Sequence, residues 1–374
     1  MKFRLVNARE TPQIPRDLKN METGMADPRL SLTRREFLAT SALAGAATFS
    51  TVAIAQDPAR DWEWLTGNWD VWHRRLRKRL AGNDDWDEFA GKSAFWHTLG
   101  GLGNIDDNLL HLPAGTYRAI SLRAFDPATR KWAIWWLDGR TAAQLDPPVI
   151  GGFTGDEGEF VGNDTFEGKP VIVRFRWHEV RGKRPHWDQA FSPDGGKNWE
   201  TNWRNYFTRT SATASPIPRT EGPAPAEAAD WSFLVGRWRV RNRKLTAGGS
   251  WEEFDSTLNN WPVMGGMGNI GDNEFRAPSG TWRGVSIRAF DSKERRWRSW
   301  WLDGRRPTVI APAVAGTFEQ GVGTLLGDDE VDGRKVRVRS QWSRTGTRSP
   351  RWEQATSSDG VKWETNWSAD FERA

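Results

Sequence analysis

The hexapeptide Trp-Trp-Leu-Asp-Gly-Arg occupies Trp135–Arg140 and returns unchanged at Trp300–Arg305. It is the peak of a longer match. Asp61–Val71 answers to Asp230–Val240, Gly100–Asn108 to Gly265–Asn273, Ser121–Trp132 to Ser286–Trp297, and Trp187–Trp203 to Trp352–Trp367. Self-similarity on this scale means that one structural unit is built twice. The copies run over about 61–209 and 230–373. Between them, Ser211–Ala229 is rich in Pro, Ala and Ser and has no apolar period, so it reads as an extended linker. The expected domains are therefore 56–209 and 230–374, joined by 210–229.

Each copy reads as antiparallel β-sheet. Apolar residues alternate with polar ones over short runs rich in Val, Ile, Phe and Trp, and turn-forming clusters such as Asp126–Arg130 and Ser192–Gly196 separate the runs. A short helical turn is expected around Asn104–Leu110 and no longer helix anywhere in the copies. Nine or ten strands at this spacing point to an up-and-down barrel, which also removes exposed edges. The run Ser192–Trp199 has the spacing of an Asp-box hairpin turn, a structural element. The propeller in which such turns abound needs four or more shorter repeats.

Ahead of the copies, Ser31–Gln56 carries a twin arginine (Arg34–Arg35), then Phe37–Leu38, an Ala-rich stretch and the small-x-small run Ala53–Ala55. This resembles a bacterial twin-arginine export signal, which implies a periplasmic or secreted protein. Residues 1–55 are assigned to it, with Met25 as an alternative start. The stretch is too short and too polar for a membrane span, so no integral membrane association is expected. The chain has no Cys, which removes disulfides, thiolate metal sites and thiol nucleophiles. Its net charge is +5, of which the first 55 residues supply +3 (eight Lys/Arg against five Asp/Glu). The remaining +2 is no footprint for nucleic acid. The basic run His73–Leu80 has only a weak counterpart at Asn242–Gly249 and reads as a solvated strand end.

Gly67-Asn68-Trp69 opens the first copy and Arg209 closes it, as Gly236-Arg237-Trp238 and Arg373 do in the second. This pairing resembles the lipocalin-type (calycin) barrels, in which Gly-x-Trp on the first strand lies beneath an Arg on the last. The whole of each copy is similar to an uncharacterised bacterial lipocalin-like family marked by Trp-Trp-Leu-Asp-Gly-Arg, a family that brings no established activity. The resemblance implies tandem all-β, lipocalin-like up-and-down barrels, with Arg209 and Arg373 as structural residues. A guanidinium over an indole contributes about 0.5–2 kcal/mol.

Alternation then nominates an interior. With Trp69 inward, His73 shares its face, as do Trp136 and Asp138 on their strand, Gln189 on the next to last, and Thr201 and Trp203 on the last. The second copy nominates Trp238, Asn242, Trp301, Asp303, Gln354, Thr365 and Trp367. An aromatic cavity with a few polar groups suits an apolar or aromatic small molecule. The opposing expectation is a barrel filled by its own indoles. Asn104, Asp107 and Asn108, repeated as Asn269, Asp272 and Asn273, are expected in a Gly-rich loop. Their side chains would bond their own backbone, gate the barrel, or offer oxygens to a ligand; the spacing is no EF-hand and no metal is expected.

All five His lie in the first copy, where the second has Asn242, Pro262, Arg276, Ser343 and Arg351. No catalytic triad, His-x-x-x-His pair or nucleotide loop is present. Three readings follow. The first is a binding module. The second is a cofactor-independent isomerase, lyase or hydratase with Asp138 and His73 as acid–base groups and His73 or Arg123 orienting. The third is a haem barrel with a His axial ligand, motivated only by an export route that carries folded, cofactor-loaded proteins. No cofactor is expected under the first two, and the oligomeric state is left open.

Overall fold

The computed structural model describes residues 57–374 apart from 247 and 332. The proposed export signal lies outside the described residues. The first barrel comprises β1 (Gly67–Leu76), β2 (Trp86–Thr98), β3 (Gly103–Leu112), β4 (Gly115–Asp126), β5 (Lys131–Asp138), β6 (Val149–Thr154), β7 (Glu157–Phe166), β8 (Lys169–His178), β9 (His186–Ser192) and β10 (Glu200–Ser211). The second comprises β11 (Gly236–Leu245), β12 (Trp251–Val263), β13 (Gly268–Ala277), β14 (Gly280–Asp291), β15 (Arg296–Asp303), β16 (Val314–Glu319), β17 (Val322–Val331), β18 (Arg334–Ser343), β19 (Arg351–Ser357) and β20 (Glu364–Arg373). In each, neighbours in sequence pair antiparallel, and the first strand pairs with the last to close the sheet. The fold is thus two ten-stranded, lipocalin-like up-and-down barrels in tandem. Among the described residues no helix is long and apolar enough to cross a membrane.

One end of each barrel is sealed by the segment before its first strand. Trp62, 2 % exposed, enters the first barrel and meets Trp132, Phe153, Phe160 and Trp177 edge-on or tilted. Trp231 does the same against Trp297, Phe318 and Trp342. Trp69 donates its indole N–H to Leu65 O, and Arg209 lies 4.1 Å above its ring. Trp238 and Arg373 repeat this, with the guanidinium 4.0 Å away. The glycine of Gly-x-Trp is required by that arrangement. Gly67 and Gly236 have φ of +119° and +122°, and a Cβ at Gly67 would come within 2.9 Å of the Arg209 guanidinium.

The two barrels pack against each other through β3–β5 and β13–β15. Outward residues Ile105, Ile120, Leu122, Trp135 and Leu137 form one core with Ile270, Val285, Ile287, Trp300 and Leu302. Their partners are their own repeat equivalents, so the interface has the self-complementary form of a two-fold dimer held in one chain. Asp107 accepts the backbone N–H of Met264 at 3.0 Å, and Asp272 accepts that of Leu99 at 3.1 Å. Leu99 and Met264 both have positive φ, 53° and 55°, which non-glycine residues seldom adopt. The carboxylate from the opposite barrel satisfies the amide that this conformation leaves open. Trp96 and Trp261 meet with ring centroids 6.1 Å apart.

The repeated hexapeptide now has a reason at each position. Trp135 and Leu137 belong to the interface, and Trp136 and Asp138 point into the barrel. A Cβ at Gly139 would lie 2.5 Å from the backbone Arg118 O on β4, so glycine is required there by the neighbouring strand, with Met264 Cε of the second barrel 2.6 Å away. Arg140 stacks 3.7 Å above Tyr117, as Arg305 does 4.0 Å above Trp282.

Two expectations are corrected. The stretch around Asn104–Leu110 is not a helical turn or a loop but strand β3, entered through a 3-10 turn at Leu99–Gly101. The connection at 210–229 is not an extended tether. Its first residues belong to β10, the middle is bound to the first barrel, and Arg219 and Glu227 reach Gly265 and Arg295 of the second. Ser215 exchanges hydrogen bonds with Asn68, Ile217 is buried against Ala94 and Leu109, and Arg118 donates to Pro218 O at 2.6 Å.

Candidate functional site

Each barrel retains a cavity above its sealed end, of about 310 Å³ in the first and about 230 Å³ in the second. Indoles therefore line the interiors without filling them. In the first barrel the wall carries Trp136, Trp187, Trp203 and Phe207, and in the second Trp301, Trp352, Trp367 and Phe371. Trp136 and Trp203 meet edge to face at 6.0 Å.

His73 is a wall residue. It stacks on Phe89 at 4.8 Å, sets Nδ1 2.6 Å from Asn205 Oδ1, and packs Nε2 against Gly91, where a Cβ would come within 2.5 Å. Burial drives its pKa down to about 3, so it is neutral. The Trp203 indole N–H points at Nδ1 from 3.3 Å. In the second barrel Asn242 receives the equivalent indole N–H from Trp367 at 3.1 Å and bonds Ser256. Nδ1 of His73 is thus engaged by the wall, and Nε2 is packed against the Gly91 backbone.

Asp138 is likewise engaged. It caps the 3-10 turn Gly139–Thr141 by accepting the N–H of Arg140 at 2.9 Å and receives that residue's guanidinium at 2.6 Å. Asp303 repeats this with Arg305. Another carboxyl, Asp146, also lines the first cavity. Burial, with Asp164 and Asp138 nearby, pushes it up to about 7. Ala311 stands at the matching place in the second barrel.

The strand β3 residues divide by parity. Asn104 and Asn108 face inward, whereas Asp107 faces the other barrel. Asn269, Asn273 and Asp272 divide in the same way. Between the two inward Asn lies Asp106, which sequence reasoning passed over. It is 1 % exposed, accepts Arg123 Nη1 at 2.9 Å and the Ser121 N–H at 2.7 Å, and is bonded by Asn108 at 2.5 Å. Arg123 also donates to Asn104 and lies 4.7 Å above Trp62. A buried, neutralised ion pair therefore forms the floor of the first cavity. The equivalent of Asp106 is Gly271 and that of Arg123 is Arg288. The Asp-to-Gly difference, visible between Gly103–Asn108 and Gly268–Asn273, was the signal that could have found them.

Four expected wall residues lie elsewhere. Trp69 and Trp238 sit in the sealed end, beneath Arg209 and Arg373, and do not line the cavities. Thr201 and Thr365 are displaced by bulges, one in β10 between Thr201 and Trp203 and one in β20 between Thr365 and Trp367. A bulge adds one residue to one strand and shifts the alternation. Asn202 and Asn366 take the inward places and bond Gln189 at 2.8 Å and Gln354 at 3.1 Å. Nor is the basic run at His73–Leu80 wholly solvated. Arg75 lies 4.6 Å over Trp203 and Arg79 5.3 Å over Phe166, both at the first cavity, where the second barrel has Lys244 and Gly248.

No protein-family model matches the chain, and no curated protein matches it. Among solved structures it is similar to an S-type phycobiliprotein lyase from Guillardia theta, at 12 % identity over 40 % of this chain and 98 % of that one, with a TM-score of 0.29. A protein of unknown function from Nostoc punctiforme matches at 9 % identity over 85 % and 100 %, with a TM-score of 0.23. A transferrin binding protein B double mutant from Haemophilus parasuis matches at 9 % identity over 82 % and 77 %, with a TM-score of 0.17. With superposition this partial, the fold rests on the strand pairing of the chain itself, and no ligand is carried over from these proteins.

Proposed function

We propose that the chain is an extracytoplasmic binding protein that holds an apolar or aromatic small molecule in each barrel. One observation carries the reading: each barrel is sealed at one end by Trp62 or Trp231 and retains an aromatic-walled cavity above it. Removing an aromatic ligand from water against such walls is favourable at about 25 cal/mol per Å² of apolar surface. A few fixed polar groups, Gln189 and Asn108 in the first barrel and Gln354 and Asn273 in the second, would orient it. The acid–base alternative finds Asp138 held by Arg140 and Nδ1 of His73 held by Asn205, which favours the binding reading over it.

Native mass spectrometry of the protein isolated from its host tests the binding reading. The expected spectrum shows a bound molecule that is lost on unfolding. A chain that carries nothing, and whose Trp fluorescence is unmoved by a panel of aromatic compounds at millimolar concentration, would refute it. Location rests on Arg34 and Arg35 in Ser31–Gln56. Changing both to Lys should retain the protein in the cytoplasm, read by cell fractionation.

A further inference from the structure

We infer that the second barrel is a receptor for an organic carboxylate, with Arg288 as its counter-charge. This rests on the binding reading above and names the chemical class of ligand for one of its two cavities.

Arg288 is 6 % exposed and lines the cavity between β13 and β15. Its Nη1 donates to Asn269 Oδ1 at 2.9 Å, and its Nε has no partner among the described residues. Trp231 lies 4.4 Å from it and Trp342 5.7 Å. No carboxylate pairs with it among the described residues. The acidic side chains at this cavity, Asp328 and Asp329, lie at the exposed rim, and Asp328 is paired with Arg337 at 2.9 Å. Burial alone lowers the Arg288 pKa, to about 9, which leaves it a cation at neutral pH.

The first barrel shows what such a group normally requires. Arg123, its repeat equivalent, has Asp106 at 2.9 Å, and the floor there is neutral. A guanidinium removed from water is tolerated when it is paired and hydrogen-bonded, and is strongly unfavourable otherwise. Two indole faces offset part of this. They provide no acceptor for the fork of N–H donors, which matches a carboxylate. The wall cannot provide one either. Gly271 replaces Asp106, and Leu258, where the first barrel has Ser93, lies 3.0 Å from where a Cβ of residue 271 would be. The missing carboxylate must therefore come from the cavity, whose lining of Trp301, Trp352, Trp367 and Phe275 suits an aromatic body. An arylacetate supplies the same carboxymethyl group that Asp106 supplies in the first barrel.

The test compares two probes of equal shape, 1-naphthylacetate and 1-naphthylacetamide, titrated calorimetrically into the full chain. The wild type should bind the acid at least about tenfold more tightly than the amide at one site per chain, the effect of one or two charge-assisted hydrogen bonds. Arg288→Gln should abolish that preference and keep amide binding. Gly271→Asp with Leu258→Ser, which rebuilds the arrangement of the first barrel and keeps the guanidinium, should do the same. Should Arg288→Gln fail to fold, as judged by circular dichroism, the double variant carries the test. An acid preference that survives in the folded variants, or amide binding with no acid preference in the wild type, would overturn the carboxylate assignment alone. Binding of neither probe by the wild type would overturn the ligand-binding reading beneath it.

Discussion

The two barrels share a strand order, a sealed end and an interface, yet their interiors have diverged. The first keeps a neutral ion pair on its floor, a buried His in its wall and a mouth with Arg75, Arg79 and Asp146. The second has Gly271, Asn242, Lys244, Gly248 and Ala311 at those places, and among the described residues its buried Arg288 has no carboxylate partner. By contrast the interface repeats almost residue for residue: Ile105 with Ile270, Leu122 with Ile287, Trp135 with Trp300, Asp107 with Asp272. On a self-complementary surface each contact recurs in the other copy, as Asp107 with Met264 recurs as Asp272 with Leu99, so a change in either copy must be met by the opposite barrel. An interior faces only its own cavity and is free to vary.

That contrast can be broken at several points. The largest effect is expected at the interface. Trp135→Ala and Trp300→Ala should each cost about 3–5 kcal/mol, as large-to-small changes in a packed core do. Scanning calorimetry should show equal losses for the two, and unequal losses would mean that the interface is less symmetric than its contacts.

Next come the interface carboxylates, where symmetry is expected to fail in a defined way. Asp107→Ala removes an acceptor from Met264 N–H and also one of the two carboxylates that pair buried Arg118, which it meets at 3.1 Å and which keeps Glu221. Its cost should be on the order of 2–4 kcal/mol, two lost hydrogen bonds of which one is charge-assisted. Asp272→Ala leaves only the Leu99 N–H unpaired, and about 1–3 kcal/mol is expected. Denaturant melts of the two variants decide the order.

His73 should give the first barrel a pH dependence that Asn242 withholds from the second. Its folded pKa, about 3, lies below the unfolded value, so the neutral form is the one the fold holds. The associated stability is fully present above about pH 6.5 and is lost as pH falls toward 3. His73→Asn should flatten this part of the profile. Relative to wild type, the variant should gain on the order of 2 kcal/mol between pH 7 and pH 4.5. A difference that does not change with pH would remove His73 from the account.

The smallest effect is expected at the sealed ends. Arg209→Ala and Arg373→Ala each remove a cation over an indole and donors to the carbonyls of the sealing segment, and each should cost roughly 1–2 kcal/mol. A large loss in one barrel alone would show that its end is closed by something else.

Much of this was legible. The repeat, the strand periodicity and the pairing of Gly-x-Trp with a terminal Arg are local or pairwise patterns, and they led to two closed barrels. The interface left only an indirect trace. Strand β4 is buried along nearly its whole length, and its apolar residues fall on both faces, Tyr117, Ala119 and Phe125 on one and Ile120, Leu122 and Ala124 on the other, which marks a strand covered on both sides. Trp135 blurred the alternation for the same reason. Thr201 and Thr365 were misplaced because a bulge depends on how two strands meet, and neither strand announces it alone. Asp107 was expected beside Asn104 and Asn108 because a loop has no parity; on a strand, parity separates them.

The sequence by itself determined that one barrel-forming unit is present twice, because hydrophobic alternation and turn chemistry act over a few residues. Only the tertiary structure decided which copy carries a compensated charge. Arg123 and Asp106 lie 17 residues apart on neighbouring strands and meet through the β3–β4 register. Their desolvation depends on the Trp62 indole, brought in by the segment that seals the barrel. Electrostatic pairing in a buried space is set by distance after folding, and distance along the chain does not predict it.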